Sequence, residues 1–211
     1  MERKKASRLT AAIILLIVIY LFAIAALFYG SNTVFNLIFS FNILFSLIIL
    51  FLFHKGWHLR VVLALAAIVM AGFLIELVGV NTGKIFGNYQ YGASLGFEIN
   101  GTPLIVGFHW LLLVYTTHVT IREIGITRPW IELTGAGLMT AMDYLIEPVA
   151  MKYELWQWEG GDVPLQNFVA WFYLSFLMHF YINRVKPIYE NKIAMPTFIV
   201  ILIFFITLNI L

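Results

Sequence analysis

Asp143 and Glu147 stand four residues apart inside one apolar stretch of the chain, and Glu76 stands inside another. Residues four apart share a helix face. Two carboxyls side by side in an apolar site cannot both ionise cheaply, which favours a proton kept by one of them at neutral pH. A protonated carboxyl is what a general acid needs. His109 and Asn167 fall in further apolar stretches and can hold a water molecule or orient an acid. The chemistry expected of this set is proton delivery from a carboxylic acid in a site poor in water.

Aromatic residues gather near the same places in the sequence: Phe86, Tyr89, Tyr91, Trp156, Trp158, Trp171, Phe172 and Tyr173. Most of them read as an interfacial belt. Aromatic faces also stabilise cations, so a cluster around a buried acid suits a carbocation intermediate. Glycines at 79, 83, 87, 92, 96 and 101 predict a loop over Asn81–Gly101 shaped by unusual backbone angles and folded back as a lid.

Other chemistries lack their residues. There is no cysteine, which removes disulfides, thiolate metal sites, iron–sulfur clusters and a cysteine nucleophile. No phosphate-binding glycine loop, dinucleotide fingerprint or serine-nucleophile elbow occurs. His54 and His58 have metal-ligand spacing, but no carboxylate lies near them in sequence and they read as headgroup contacts. No metal and no cofactor is expected.

The elements that must position these residues follow from composition. The 211 residues are 62% hydrophobic and only 11% charged, against about 25% charged residues in ordinary soluble domains. That excludes an ordinary cytosolic or secreted enzyme, and a disordered protein. A net charge of +2 leaves no general basic surface for nucleic acid. Continuous apolar runs predict seven membrane-spanning helices: Leu9–Tyr29, Val34–Phe53, Leu59–Val80, Thr102–Thr120, Trp130–Val149, Leu165–Ile182 and Ile193–Leu211. The first run follows Arg3, Lys4, Lys5 and Arg8, and its length favours an uncleaved helix over a signal peptide.

With the N-terminus inside, the inner segments hold eleven of the 13 basic residues, Lys186 among them, and the outer segments hold only Lys84 and Lys152. The positive-inside rule then predicts N-in and C-out. The expected fold is a single all-α membrane domain over residues 1–211, multi-pass in the cell membrane and surrounded by its lipids. At about 1.5 Å per residue, Glu76 lies about 6 Å from the outer end of its span, Asp143 about 9 Å and His109 about 10 Å. Asn167 joins them near the outer start of its own span. Four helices therefore contribute polar groups to one layer, and intramembrane acids are functional by default.

The residues also carry a resemblance. Glu76-x-x-Gly79-Val80-Asn81-Thr82-Gly83, Phe86-Gly87-Asn88-Tyr89-x-Tyr91, Leu95-Gly96 and Gly101-x-Pro103 form one half of it. Asp143-x-x-x-Glu147-Pro148-Val149, Trp156-x-Trp158 and Pro164-Leu165-x-Asn167-Phe168-x-x-Trp171-Phe172 form the other. Over roughly residues 70–173 the chain resembles the CruF-type membrane carotenoid biosynthesis family, which includes carotenoid 1,2-hydratases and bisanhydrobacterioruberin hydratase. The resemblance implies addition of water across the C1=C2 bond of an acyclic carotenoid end group, with no cofactor. The substrates are then a lipophilic carotenoid and water, and other enzymes of carotenoid synthesis are candidate partners.

Joined to the chemistry above, this expects Asp143 as the acid, with Glu147 or Glu76 as its partner or as the water base. His109 and Asn167 are expected to hold the water, and Trp156, Trp158 and Trp171 to face the cation. Asn81, Tyr89 and Tyr91 complete the expected substrate-binding set. Two alternatives stay open. A carotenoid cyclase or isomerase would use the same acid and lose a proton instead of capturing water. A non-enzymatic carotenoid- or lipid-binding or transport protein is the other, and a transporter would show polar residues along a full path.

Overall fold

The computed structural model describes residues 2–185 and 190–211. Lys186, counted above for orientation, lies outside the described residues. Helices α1 (Glu2–Tyr29), α2 (Asn32–Phe53) and α3 (Leu59–Thr82) come first. Strands β1 (Tyr89–Tyr91), β2 (Glu98–Ile99) and β3 (Thr102–Pro103) occupy the long loop that follows. Then come α4 (Ile105–Glu123), α5 (Trp130–Lys152), β4 (Trp156–Trp158), α6 (Leu165–Val185) and α7 (Ala194–Ile210).

Helix α4 is the hub. Every residue from Trp110 to Ile121 is buried, and α4 packs against α2, α3, α5, α6 and α7. A helix buried on every side belongs in the middle of a bundle. The outer helices instead expose Phe22, Leu52, Leu63 and Leu177, an exterior matched to lipid and not to water. Helices Ala6–Phe28, Asn32–Phe53 and Leu59–Thr82 are long and apolar enough to cross a membrane. Helices α4, α5 and α6 are also long, but each buries several polar side chains, among them Thr116, Thr117 and His118 in α4, Glu132, Asp143 and Glu147 in α5, and Asn167, Ser175, His179 and Asn183 in α6, which lowers their hydropathy below that of the first three.

The helices match the apolar runs to within three residues at most ends, but α1 begins at Glu2, seven residues before its run, and the fourth run starts too early. Thr102 and Pro103 pair in the β2–β3 hairpin, so α4 begins at Ile105. His109 therefore sits one turn into its helix instead of two, and the 10 Å depth expected for it is too large. The structure is also not purely helical. Strand β1 pairs antiparallel with β4 in the register Tyr89↔Trp158, Gln90↔Gln157 and Tyr91↔Trp156. This ribbon ties together the two long loops, which end far apart in sequence.

Two glycines permit the close approaches that the site requires. A Cβ on Gly72 of α3 would stand 2.6 Å from the Cβ of Trp110. A Cβ on Gly79 would stand 2.6 Å from Phe86 Cδ2. Any larger residue would push Trp110 or the β1 loop away from α3.

Candidate active site

Side chains alternate across a strand. In the ribbon this places Tyr89, Tyr91, Trp156 and Trp158 on one face and Gln90 and Gln157 on the other. The aromatic face lies over Glu76 of α3 and Glu147 of α5. Tyr89 and Tyr91 donate from Oη to Glu76 Oε2 at 2.5 and 2.8 Å, and Trp110 Nε1 donates to Glu76 Oε1 at 2.9 Å. Burial, and then the Glu76 carboxylate beside them, raise both phenols above the ordinary tyrosine range. The tyrosines therefore keep their protons and act as donors.

Glu147 is held in a parallel way. Trp156 Nε1 and Trp158 Nε1 donate to its Oε2 at 2.9 and 2.7 Å. Asn167 Nδ2, from α6, donates to Glu147 Oε1 at 3.2 Å and to Asp143 Oδ2 at 2.7 Å. Each glutamate thus receives three neutral donors, a pattern that an acceptor-only carboxylate satisfies. Asp143 differs. It is fully buried, receives one donor, and its Oδ1 has no partner among the described residues. No lysine or arginine pairs with any of the three acids among the described residues.

The acids line a cavity of about 30 Å³ together with Phe86, Val106, His109, Trp110 and Trp171 and the ribbon aromatics. That is room for one or two water molecules, since one probe-sized site needs about 10–15 Å³. Trp110 and Trp171 close the cavity as a stacked pair, 4.0 Å between centroids and 17° between planes. The set can store a proton on Asp143 Oδ1, hold a water beside it, and offer two fixed carboxylates to positive charge.

Glu76, Asp143, Glu147, Asn167, Tyr89, Tyr91, Trp156, Trp158, Trp171 and His109 are all brought to this cavity. Three expectations need correction in detail. Asn81 is exposed and donates to the carbonyls of Leu77 and Asn100, so it fastens the end of α3 to the β2–β3 hairpin and lies off the cavity. Trp156 and Trp158 turn their N–H edges to Glu147, which makes them carboxylate donors before they are cation platforms. His109 lines the cavity but bonds to neither Asp143 nor Glu76; its ring meets Phe39 edge-on at 5.8 Å.

Trp110 and Val106 were not anticipated from sequence, and Phe86 was expected only as one of the nearby aromatics. A tryptophan well inside a buried helix needs an acceptor for its N–H, and that signal would have tied Trp110 to an acid. The two strands were also legible in principle, because Tyr-x-Tyr and Trp-x-Trp share the period of a strand, though that period does not say that they pair.

The remaining histidines lie elsewhere. His54 Nδ1 bonds Tyr115 Oη at 2.8 Å, and His58 caps α3 by accepting from the Val61 N–H. The rings of His118 and His179 stand 6.0 Å apart, and His179 Nε2 lies 3.0 Å from Thr117 Oγ1.

Comparison with known proteins places the chain in a family. A family described as "Carotenoid biosynthesis protein" matches residues 32–211. A bisanhydrobacterioruberin hydratase from Haloarcula japonica is 28% identical over 129 residues, covering 53% of this chain and 41% of that relative. The match therefore spans less than half the length of that curated relative. No solved structure gives a significant match.

Proposed function

The chain belongs to the carotenoid biosynthesis protein family, and from that premise we propose that it is a carotenoid hydratase. The reaction is addition of water across the C1=C2 bond of an acyclic carotenoid end group. The observation that carries the reading is Asp143. It is a fully buried acid in a water-sized cavity, with neither a partner for its free oxygen nor a counter-cation among the described residues.

Asp143 delivers its proton from Oδ1 to C2, and the π bond becomes a C2–H bond with a tertiary cation at C1. Glu76 and Glu147, fixed by Tyr89, Tyr91, Trp110, Trp156 and Trp158, supply negative charge where positive charge develops, as electrostatic stabilisation requires. The cavity water attacks C1 and forms the C–O bond. Glu147 accepts the proton released by that water, and a second water returns it to Asp143. One water enters the product and no electron is transferred, so no cofactor is required. Asn167 spans Asp143 and Glu147 and positions the pair.

The carotenoid is lipid-soluble and reaches the cavity from the bilayer, between helices. An end group is larger than the cavity, so its entry displaces wall residues such as Trp171. We extend the reading to seven spans in the cell membrane, N-terminus inside, with the ribbon on the outer face. Other enzymes of the same pathway would exchange pigment with it through the membrane.

A water-sized space beside the free acid favours capture of the cation by water over loss of a proton, and so hydration over cyclisation. Expression in a host that accumulates lycopene or γ-carotene, followed by pigment mass spectrometry, tests this. The expected product is heavier by one water. Unchanged mass with a shifted absorption band would support a cyclase instead, and no change with several acyclic substrates would remove both readings.

A further inference from the structure

A second, open depression of about 340 Å³ lies outside the ribbon, lined by Asn88, Tyr89, Gln90, Gln157, Trp158 and Glu159. Tyr89 and Trp158 line this depression and the acid cavity alike. Their rings stand 4.9 Å apart at 36°. Two aromatic side chains are thus the shared wall between an open basin rimmed by polar side chains and the buried acids. At the same about 15 Å³ per water, the basin has room for on the order of twenty molecules.

We propose that this basin is the water intake of the acid cavity, with Tyr89 and Trp158 as the gate. The purpose of the intake rests on the hydratase reading. Each turnover consumes one water, and the cavity stores one or two. Refilling through the helices is barred, because the exteriors of α3 and α6 carry Leu74, Val78, Val169 and Leu177. The ribbon is the wall with a polar far side: Gln90 and Gln157 alternate outward from its aromatic face and are exposed. Its edge is clasped by Asn88 Nδ2 on Glu159 Oε2 at 2.7 Å and by the Glu159 N–H on the Asn88 carbonyl at 2.9 Å. Water therefore passes beside the clasp when Tyr89 and Trp158 part, while the carotenoid arrives through lipid. The two substrates reach the same acid by separate doors.

The test needs no turnover. The chain has no cysteine, so Val106→Cys places a single thiol in the cavity and Gln157→Cys places one in the basin. Each protein is reconstituted in nanodiscs and labelled with 2-aminoethyl methanethiosulfonate, a small water-soluble cation. The expected result is fast labelling of Gln157→Cys and slower labelling of Val106→Cys. Adding Gln90→Trp, which fills the basin, then slows the Val106→Cys reaction about tenfold. Gln157→Trp serves as a second plug should the first not fold, and Val169→Trp on the lipid face leaves the rate alone. The proposal is overturned if both folded plugs leave the rate unchanged, or if Val169→Trp slows it as much. It is equally overturned if Val106→Cys stays unlabelled while Gln157→Cys reacts. Because labelling is read without pigment, failure of the intake and failure of the hydratase reading are separate results.

Discussion

The α5/α6 pair carries a carboxyl–amide contact at each end. At one end Asn183 Nδ2 donates to Glu132 Oε1 at 2.7 Å. At the other Asn167 Nδ2 donates to Asp143 Oδ2 at the same distance. The sequence makes both ends possible, since Asn167, Trp171, Ser175, His179 and Asn183 repeat every fourth residue along one face of α6.

The ends differ in what else the acid meets. Arg128 stands 3.9 Å from Glu132 and also donates to the Asn183 carbonyl, so that acid is neutralised and bridged. Asp143 meets a second acid four residues on, an unpartnered oxygen of its own and a cavity. An acid–amide pair with a cation is a structural clamp. The same pair with no cation among the described residues, beside a space, suits the acid of the proposed reaction.

Substitutions can break this contrast. Asp143→Asn keeps shape and should keep the fold, but removes the proton that the reaction needs. General acid contributions of about 10²–10⁴ set the expected loss of product, read by pigment mass with the membrane level of the protein as control. Full activity in that variant would take Asp143 out of the mechanism. Glu147→Gln should lower hydration by about the smaller end of that range. It should also divert product toward an isomer of unchanged mass, because the cation forms but the attacking water is not deprotonated.

Replacing Tyr89 and Tyr91 together by Phe leaves Glu76 with Trp110 alone. A hydrogen bond to a charged group contributes about 1.5–3 kcal/mol, so turnover should fall by about tenfold or more while the helices stay intact by circular dichroism. Glu132→Gln should do the opposite. Its Arg128 partner is 48% exposed, so the lost pair costs at most about 1 kcal/mol, seen as a small drop in thermal stability with product unchanged. A loss of product there would erase the distinction between the two ends. The smallest effect is expected for Asn81→Ala, within about 0.5 kcal/mol in stability and without effect on product.

The reach of the sequence follows the same physics. Apolar runs long enough to cross a bilayer located five of the helices to within a few residues at both ends, because a backbone buried among apolar side chains has to pair within its own helix; α1 runs on to Glu2 through a charged stretch that the apolar count leaves out. The fourth start was misplaced because Thr102-Pro103 is apolar enough to join the run, yet pairs with Glu98-Ile99 in a hairpin. Depth alone gathered Glu76, Asp143, His109 and Asn167. Depth could not say which donor serves which acid. That depends on the pairing of Tyr89–Tyr91 with Trp156–Trp158, a contact between distant loops that no local period reports. Asn81 shared the motif of Glu76 but points along its helix to a carbonyl, a detail set by the turn after α3.

Protonation of the substrate by Asp143, with water completing the addition, leaves an isotopic record. The reaction is run in deuterium oxide, and separately in oxygen-labelled water, with purified protein and an acyclic carotenoid. The expected product carries one non-exchangeable deuterium at C2 and a C1 hydroxyl whose oxygen comes from the water, and Asp143→Asn forms none of it. A hydroxylated product without deuterium on carbon, or one formed equally by Asp143→Asn, would contradict this mechanism.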